Sequence, residues 1–251
     1  MIKPARHEQI LSELGRRGSI TVEEIVNLLG VSEATVRRDL RELEERGLIR
    51  RIRGGATLAD DQDELPYPFK VTAYLAEKRR IGVAAAELIE PGWVIGCSGG
   101  TTIAQVIRAL RGKRLTVVTN AVTVAAELAA SPETDVVVTG GTLRSRSYEM
   151  IGHIAVQTIR DFRFDLALLG VDGLSVEHGL TTYNHLEAHV NRTFIECARE
   201  VMVVADHSKL GKVTPALITG VDKLTILVTD SGAPPELVKP FQSLGIRVVL
   251  A

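Results

Sequence analysis

The chain has 251 residues, 45% of them hydrophobic and 24% charged, with a formal net charge of -1. That length supports one substantial core plus a small satellite domain, and so even a charge balance excludes binding to polyanions by bulk charge. Two cysteines, Cys97 and Cys197, exclude a disulfide framework, and no apolar run approaches the ~18 residues of a membrane span. Both cysteines fall in apolar segments and read as buried reduced thiols. The opening MIKPARHEQI has neither an apolar core nor a cleavage signature, so the expected location is the cytoplasm, with no membrane partner.

In chain order, the first expected element is a helix over Arg6 to Leu14, with Ile10, Leu11 and Leu14 on one face. Arg16-Arg17-Gly18 ends it, and Ser19-Ile20 reads as a short strand. Thr21 and Glu24 form a capping-box pair at the start of a second helix, whose apolar face is Val22, Ile25, Val26 and Leu29. Gly30 stops that helix, Val31 tucks inward, and Ser32 caps a third. On the third helix Val36, Leu40 and Leu43 form the inner stripe. At ~100° per residue, Ala34, Thr35, Arg38 and Arg41 fall on the opposite side, with Arg37 at its edge. Short side chains at the start and arginines beyond suit a helix laid in a DNA major groove. Glu42, Glu44 and Glu45 lie toward the far end, where such a helix leaves the groove. Taken alone, the two helices could equally be an amphipathic pair with a solvated charged face.

Leu48 to Arg53 alternates like a strand, Gly54-Gly55 can turn the chain, and Ala56-Thr57-Leu58 returns. Adjacent glycines suit a hairpin because both can take positive φ. The hairpin would pair with Ser19-Ile20 and carry Arg50, Arg51 and Arg53 beside the third helix, placed for phosphate or minor-groove contact. From Arg46 to Arg53 there are four arginines and no acid. The plain alternative is an edge hairpin kept soluble by its arginines. Residues 1–58 carry 11 Lys and Arg against 9 Asp and Glu, and the remainder 19 against 22. Placement of the arginines therefore matters more than their number.

The run VSEATVRRDLRELEERGLIRRIRGGA resembles the winged helix-turn-helix of DeoR-family (GlpR-type) bacterial transcription regulators. The resemblance implies that Ser32, Ala34, Thr35, Arg37, Arg38, Arg41, Arg51, Arg53, Gly54 and Gly55 meet double-stranded operator DNA.

Residues 59–72, with Asp60, Asp61, Asp63, Glu64, Pro66 and Pro68, read as a linker opposed to helix and strand alike. It separates a DNA-binding domain over 1–58 from a second domain over 73–251. A long helix is expected from Ala73 to Ile89, with Glu77-Lys78-Arg79 on a solvated face. Seven short apolar runs follow: Trp93–Cys97, Leu115–Thr119, Asp135–Thr139, Leu166–Gly170, Val201–Ala205, Leu224–Thr229 and Ile246–Leu250. Helical segments near 103–111, 121–130, 149–160, 185–199 and 235–243 separate them. Continuous apolarity and strand-helix alternation predict an α/β fold, a mostly parallel sheet flanked by helices.

Ligands bind such sheets beyond the carboxyl ends of the strands. The segments there are Ser98-Gly99-Gly100-Thr101-Thr102, Asn120, Gly140-Gly141, Val171-Asp172-Gly173, Asp206-His207-Ser208-Lys209 and Asp230-Ser231. Glycine backbone, hydroxyls, acids and one lysine suit a small hydroxyl-rich anion. SGGTT opens a helix and can hold a phosphate, or can be plain strand-to-helix architecture. It is neither a P-loop nor GxGxxG, which speaks against nucleotides. Asp206 with Lys209 could be a surface ion pair, Asp172 a turn former, and Glu187 a helix-start acid. His153, His185 and His189 lack partners at metal spacing, so no metal or cofactor is expected.

The same family resemblance extends over nearly the whole chain, through GGTT, Thr119-Asn120, GVDG, Gly179-Leu180-Thr181, Glu187-Ala188 and ADHSK. It implies an effector domain related in fold to ribose-5-phosphate isomerase, sensing a phosphorylated sugar of unknown identity. SGGTT would hold the phosphate, while Asp172, Thr181, Glu187, Asp206 and Lys209 face the sugar. Many members have Asp where this chain has Ser98. The expected protein is a sugar-phosphate-controlled repressor of carbohydrate genes, self-associated as a dimer or tetramer, with no catalytic residues. The competing expectation is an isomerase-like enzyme using Asp172, Glu187 or Asp206 as base. That alternative leaves the front end without a role.

Overall fold

The computed structural model describes residues 3–45, 47–58 and 64–251 and divides into two compact units, Met1–Leu75 and Ala76–Ala251. The first contains α1 (Lys3–Arg17), β1 (Ser19–Thr21), α2 (Val22–Leu29), α3 (Glu33–Glu45), β2 (Ile49–Ile52), β3 (Gly55–Leu58) and a helical turn α4 (Tyr67–Lys70). Thr21 and Glu24 form the reciprocal capping box. Gly30 ends α2 at φ 63, its N–H bonded to the Val26 carbonyl. Thr35 N–H donates to Ser32 Oγ at 3.3 Å, capping α3. Ile10, Leu11, Leu14, Ile25, Val36 and Leu40 meet in the core with at most 1% exposure. α1 runs past both expected ends, its buried face outweighing the helix penalty of Gly15.

The strands form an antiparallel sheet in the order β1-β3-β2. Ile52 pairs with Gly55, so the turn is Arg53-Gly54 and only Gly54 takes positive φ, at 82°. This corrects the expectation that both glycines turn the chain. Gly55 is required by close approach instead, since a Cβ there would stand 2.3 Å from the Ile20 carbonyl oxygen of β1. The expected linker also differs. Pro66 precedes α4 and Pro68 lies in its first turn, where a missing N–H is tolerated. Leu65 and Phe69 pack on the core, and Glu64 is buried, accepting from Lys70 Nζ at 3.1 Å. Asp60, Asp61 and Asp63 lie outside the described residues.

α5 (Leu75–Glu87) starts at the boundary residue and opens the second unit. There follow β4 (Val94–Cys97), α6 (Thr101–Ala109), β5 (Leu115–Thr119), α7 (Val122–Leu128), β6 (Thr134–Val138), β7 (Thr142–Arg144), β8 (Glu149–Ile151), α8 (His153–Arg160) and β9 (Phe164–Leu169). The chain continues through β10 (Gly173–Ser175), β11 (Gly179–Thr182), α9 (His185–Glu196), β12 (Ala198–Val204), β13 (Ala216–Thr219), β14 (Ile226–Thr229), α10 (Pro235–Ser243) and β15 (Arg247–Leu250). The expected apolar runs make one seven-stranded sheet in the order β15-β14-β12-β9-β4-β5-β6, every neighbouring pair parallel. Its strands are apolar on both sides because both faces are covered. Leu166 and Leu168 face the core shared with α5 to α7, while Ala167 and Leu169 face the core shared with α8 and α9.

Two features depart from expectation. Residues 149–151 are the strand of a β7-β8 hairpin, not the start of a helix. A second antiparallel sheet, β10-β11-β13, stands outside the main one. These strands have three or four residues each and lack the apolar run that marks the others. The strand order reverses beside β4: β5 and β6 lie on one side, β9 and β12 on the other. The ends of β4 and β9 therefore flank the crevice where a parallel sheet binds ligands. Among the described residues, no helix is long and apolar enough to cross a membrane.

Candidate functional site

In the first unit, α3 turns Ala34, Arg37, Arg38 and Arg41 to solvent and leaves Thr35 half-buried beside Ser32. Arg38 and Arg41 on α3, with Arg50 and Arg53 on the hairpin, are exposed and make no side-chain hydrogen bond or ion pair among the described residues. Two other arginines of the expected surface are engaged. Arg37 donates through Nε (2.8 Å) and Nη2 (2.6 Å) to Glu33 one turn back. Arg51 donates through Nε (2.6 Å) and its backbone N–H (3.0 Å) to Glu44. Glu44 thus ties the hairpin to α3 instead of merely ending a helix.

The inward side of α3 holds a group that sequence reasoning missed. Asp39 is 1% exposed and accepts from Arg6 Nε at 2.7 Å and Nη2 at 2.9 Å, with His7 Nε2 3.3 Å away. Burial alone would push its carboxyl up, but the Arg6 hydrogen bonds and charge, with His7, hold it below its ordinary value. The helical spacing of Asp39 with Val36 and Leu43 was the available sign. An acid in an apolar stripe implies a buried partner.

In the second unit, Ser98, Gly99 and Gly100 follow β4, and Gly100 precedes α6 at φ 122 with no side-chain cap on that helix. Thr101 and Thr102 fill the first turn and are buried. Ser98 spends its hydroxyl internally, donating to the Gly99 carbonyl (3.3 Å) and accepting from Gly170 N–H (3.1 Å). It thereby joins the ends of β4 and β9. The Cys97 thiol before it is fully buried and unpaired with another cysteine. Burial, with the Glu149 charge, pushes it far up. Cys197 is also free but only half-buried. Gly140 and Gly141 are exposed in the turn from β6 to β7.

A carboxylate cluster lies beyond β5 and β9. Asn120 is fully buried, its Nδ2 donating to Glu149 Oε2 (3.0 Å) and to the Met150 carbonyl (3.1 Å). Glu187 accepts from Arg144 Nη1 (2.9 Å), from the Ser147 hydroxyl and from Thr182 Oγ1 (3.3 Å). The same Thr182 hydroxyl lies 3.0 Å from Asp172, so its one proton is shared between the two carboxyl groups. The expected Thr181 is therefore displaced by its neighbour. Along β11 alternate residues face opposite ways, and Thr181 Oγ1 bonds the Gly173 carbonyl and Thr214 N–H. Glu149 was also missed, because the segment read as a helix. Burial first, then the charges of Glu187 and Asp172, push its carboxyl up to about 8 despite the Asn120 and Gly99 donors.

Asp206, two residues beyond β12, is fully buried and caps a 3₁₀ turn (His207–Lys209) through Ser208 N–H at 3.1 Å. Its charged neighbour is Lys78 Nζ at 4.0 Å, itself 4% exposed. This corrects the expectation that Lys78 is on a solvated face, and it removes the plain alternative of an Asp206–Lys209 ion pair. Lys209 is half-buried with no side-chain partner among the described residues. His207 Nδ1 meets Asp230 Oδ2 at 2.8 Å. Among the described residues no cluster of His, Cys, Asp and Glu could hold a metal ion.

Two family models match the chain, the DeoR-like helix-turn-helix domain over residues 6–62 and the DeoR C terminal sensor domain over 74–231. The chain is 36% identical over 246 residues to the HTH-type transcriptional repressor CsqR of Escherichia coli (strain K12), covering 98% of this chain and 94% of that protein. It is 33% identical over 251 residues to the glycerol-3-phosphate regulon repressor of the same strain, covering all of both. Among solved structures, ribose 5-phosphate isomerase A from Methanocaldococcus jannaschii is similar at TM-score 0.42 and 18% identity over 55% of each chain. A helix-turn-helix domain with exposed arginines, followed by a sensor domain, accounts for most of the chain. The protein belongs to the DeoR family of transcriptional regulators, a DNA-binding regulator and not an enzyme.

Proposed function

We propose that the protein is a cytoplasmic repressor that holds an operator through α3 and its hairpin and releases it when a sugar phosphate binds the crevice. The observation that carries the DNA half is the set of four exposed, unengaged arginines on α3 and the hairpin, locked together by Glu44 and Arg51. Free guanidinium groups on a helix and an adjoining hairpin suit base edges and phosphates. One chain supplies one such unit and hence one half-site, so the working form is a homo-oligomer, a dimer or tetramer, on a repeated operator.

For the effector half, the two similar proteins are named repressors, and one is named for a phosphorylated triol. The crevice beyond β4 and β9 supports the same reading here. The uncapped start of α6 offers N–H groups to a phosphate, and the Asp172, Thr182 and Glu187 side chains offer acceptors and a hydroxyl to a carbohydrate. Lys209 supplies a further cation. No cofactor enters this scheme. A thermal-shift screen over pentose and hexose phosphates tests it. One compound should raise the melting temperature of wild type and not of Lys209→Ala, and no response to any of them contradicts the assignment.

A further inference from the structure

Several sheet edges of the second unit are covered from within the chain. Arg192 caps β13, donating through Nε to the Ile218 carbonyl (2.7 Å) and through Nη2 to the Leu217 carbonyl (2.9 Å). On β10 the Leu174 carbonyl accepts from Gly211 N–H at 2.8 Å. β8 is bracketed by Met150 N–H on the Asn120 carbonyl (2.7 Å) and Val122 N–H on the Tyr148 carbonyl (3.0 Å). The seven-stranded sheet ends in β15 on one side and in β6 on the other. β15 is four residues long and opens on the exposed Arg247. β6, TDVVV, is longer and β-branched at four of its five positions. Thr139 N–H bonds inward, to the Thr119 carbonyl at 2.9 Å. Backbone groups alternate along a strand, so Asp135 and Val137 also face β5, while Val136 and Val138 turn N–H and C=O outward. Among the described residues those four outward groups make no hydrogen bond. Val138 is exposed, as are Leu143 and Ile154. Gly140 lies against Ile154, since a Cβ there would stand 2.7 Å from Ile154 Cγ2. An open β-branched edge without lysine or proline is a template for another strand.

We propose that β6 is the seam between two copies of this chain, which pair antiparallel about a two-fold axis at Val137 and join their sheets into one. The inference rests on the homo-oligomer reading above and deepens it by naming the surface. A strand that meets its own copy under a two-fold pairs antiparallel, and such a contact closes instead of growing into a filament. With the axis at Val137, each Val136 lies opposite Val138 of the second copy, and the two pairs exchange four hydrogen bonds. All four outward groups are then used. Moving the axis to Val136 would set Val138 against Thr134, whose N–H is already bonded to the Ser131 carbonyl at 3.2 Å. In the Val137 register Asp135, the one charge on the strand, falls opposite Thr139, so the two acids do not face each other.

The test is sedimentation velocity of the full chain as wild type, Val138→Pro and Val248→Pro, with oxidative cross-linking of Val137→Cys. Proline at 138 removes one outward N–H and spares every bond to β5, a change that edge strands accept; circular dichroism checks the fold. Val138→Pro should halve the number of subunits, whereas Val248→Pro, the matching change on β15, should leave it as in wild type. Val137→Cys should give a disulfide-linked dimer that wild type does not, because the paired Cα atoms at the axis lie ~4.5 Å apart. Unchanged association in Val138→Pro, dissociation by Val248→Pro instead, or no cross-link in Val137→Cys overturns the β6 seam and leaves a homo-oligomer standing. A wild-type chain that stays monomeric at every concentration removes the homo-oligomer and the seam with it.

Discussion

Asp39 gives α3 two opposed faces. Its outward neighbour Arg38 is free to meet DNA, while Asp39 itself is clamped by Arg6 from α1. Arg38→Ala should weaken operator binding by about 1–3 kcal/mol and leave folding intact, and a gel shift with the operator measures this. Asp39 instead acts on stability. Its folded carboxyl is held below the ordinary value, so its contribution is present above the ordinary carboxylate range and is lost as pH falls through and below it. Thermal melts should show the DNA-binding unit of Asp39→Asn weakened at pH 7, with a flatter decline in acid than wild type. Glu149 has the opposite sign. A carboxyl raised to about 8 binds a proton in the folded chain that the unfolded chain has lost. Stability should therefore fall as pH rises from the ordinary carboxylate value toward 8, and Glu149→Gln should remove that slope.

At the scale of elements, the hairpin beside α3 stands on Gly55. Its missing Cβ lets β3 close on β1, with the Ile20 carbonyl in the way of any side chain. Gly55→Ala should cost about 1–3 kcal/mol, seen as a lower melting temperature of the DNA-binding unit with the effector domain unchanged. The glycine pair was legible in the sequence as a hairpin, but not which glycine turned and which made room, because spacing does not report a third strand. The seven core strands were legible for a simple reason: strands covered on both faces need near-continuous apolar runs, and the expected Leu115–Thr119 and Leu166–Gly170 fall on β5 and β9. The β7-β8 hairpin and the β10-β11-β13 sheet carry no such run, being short and defined by pairing. They are also where the crevice acquires Glu149 and Thr182. The positions of the sheet strands were therefore legible, as were Asp172 and Glu187, while Glu149 and Thr182, carried by strands outside the main sheet, were not.

For the molecule as a whole, one chain joins a unit with exposed arginines to a unit whose strand ends gather acids, hydroxyls and glycine backbone. α5 begins at the boundary between them and carries Lys78, buried against Asp206 at the end of β12. Lys78→Met leaves that acid buried with its cation gone and should destabilise the effector domain by about 3–5 kcal/mol, read by thermal unfolding. An effector can shift DNA binding only by binding the two states of the protein unequally. The most direct test is fluorescence anisotropy of the full chain on DNA from the promoter of its own operon, at low ionic strength, with and without the sugar phosphate that stabilises it. Binding should weaken steeply with salt and fall about 5–150-fold when the effector is added. Affinity that is the same with and without the effector, or absent for every promoter fragment, would contradict it.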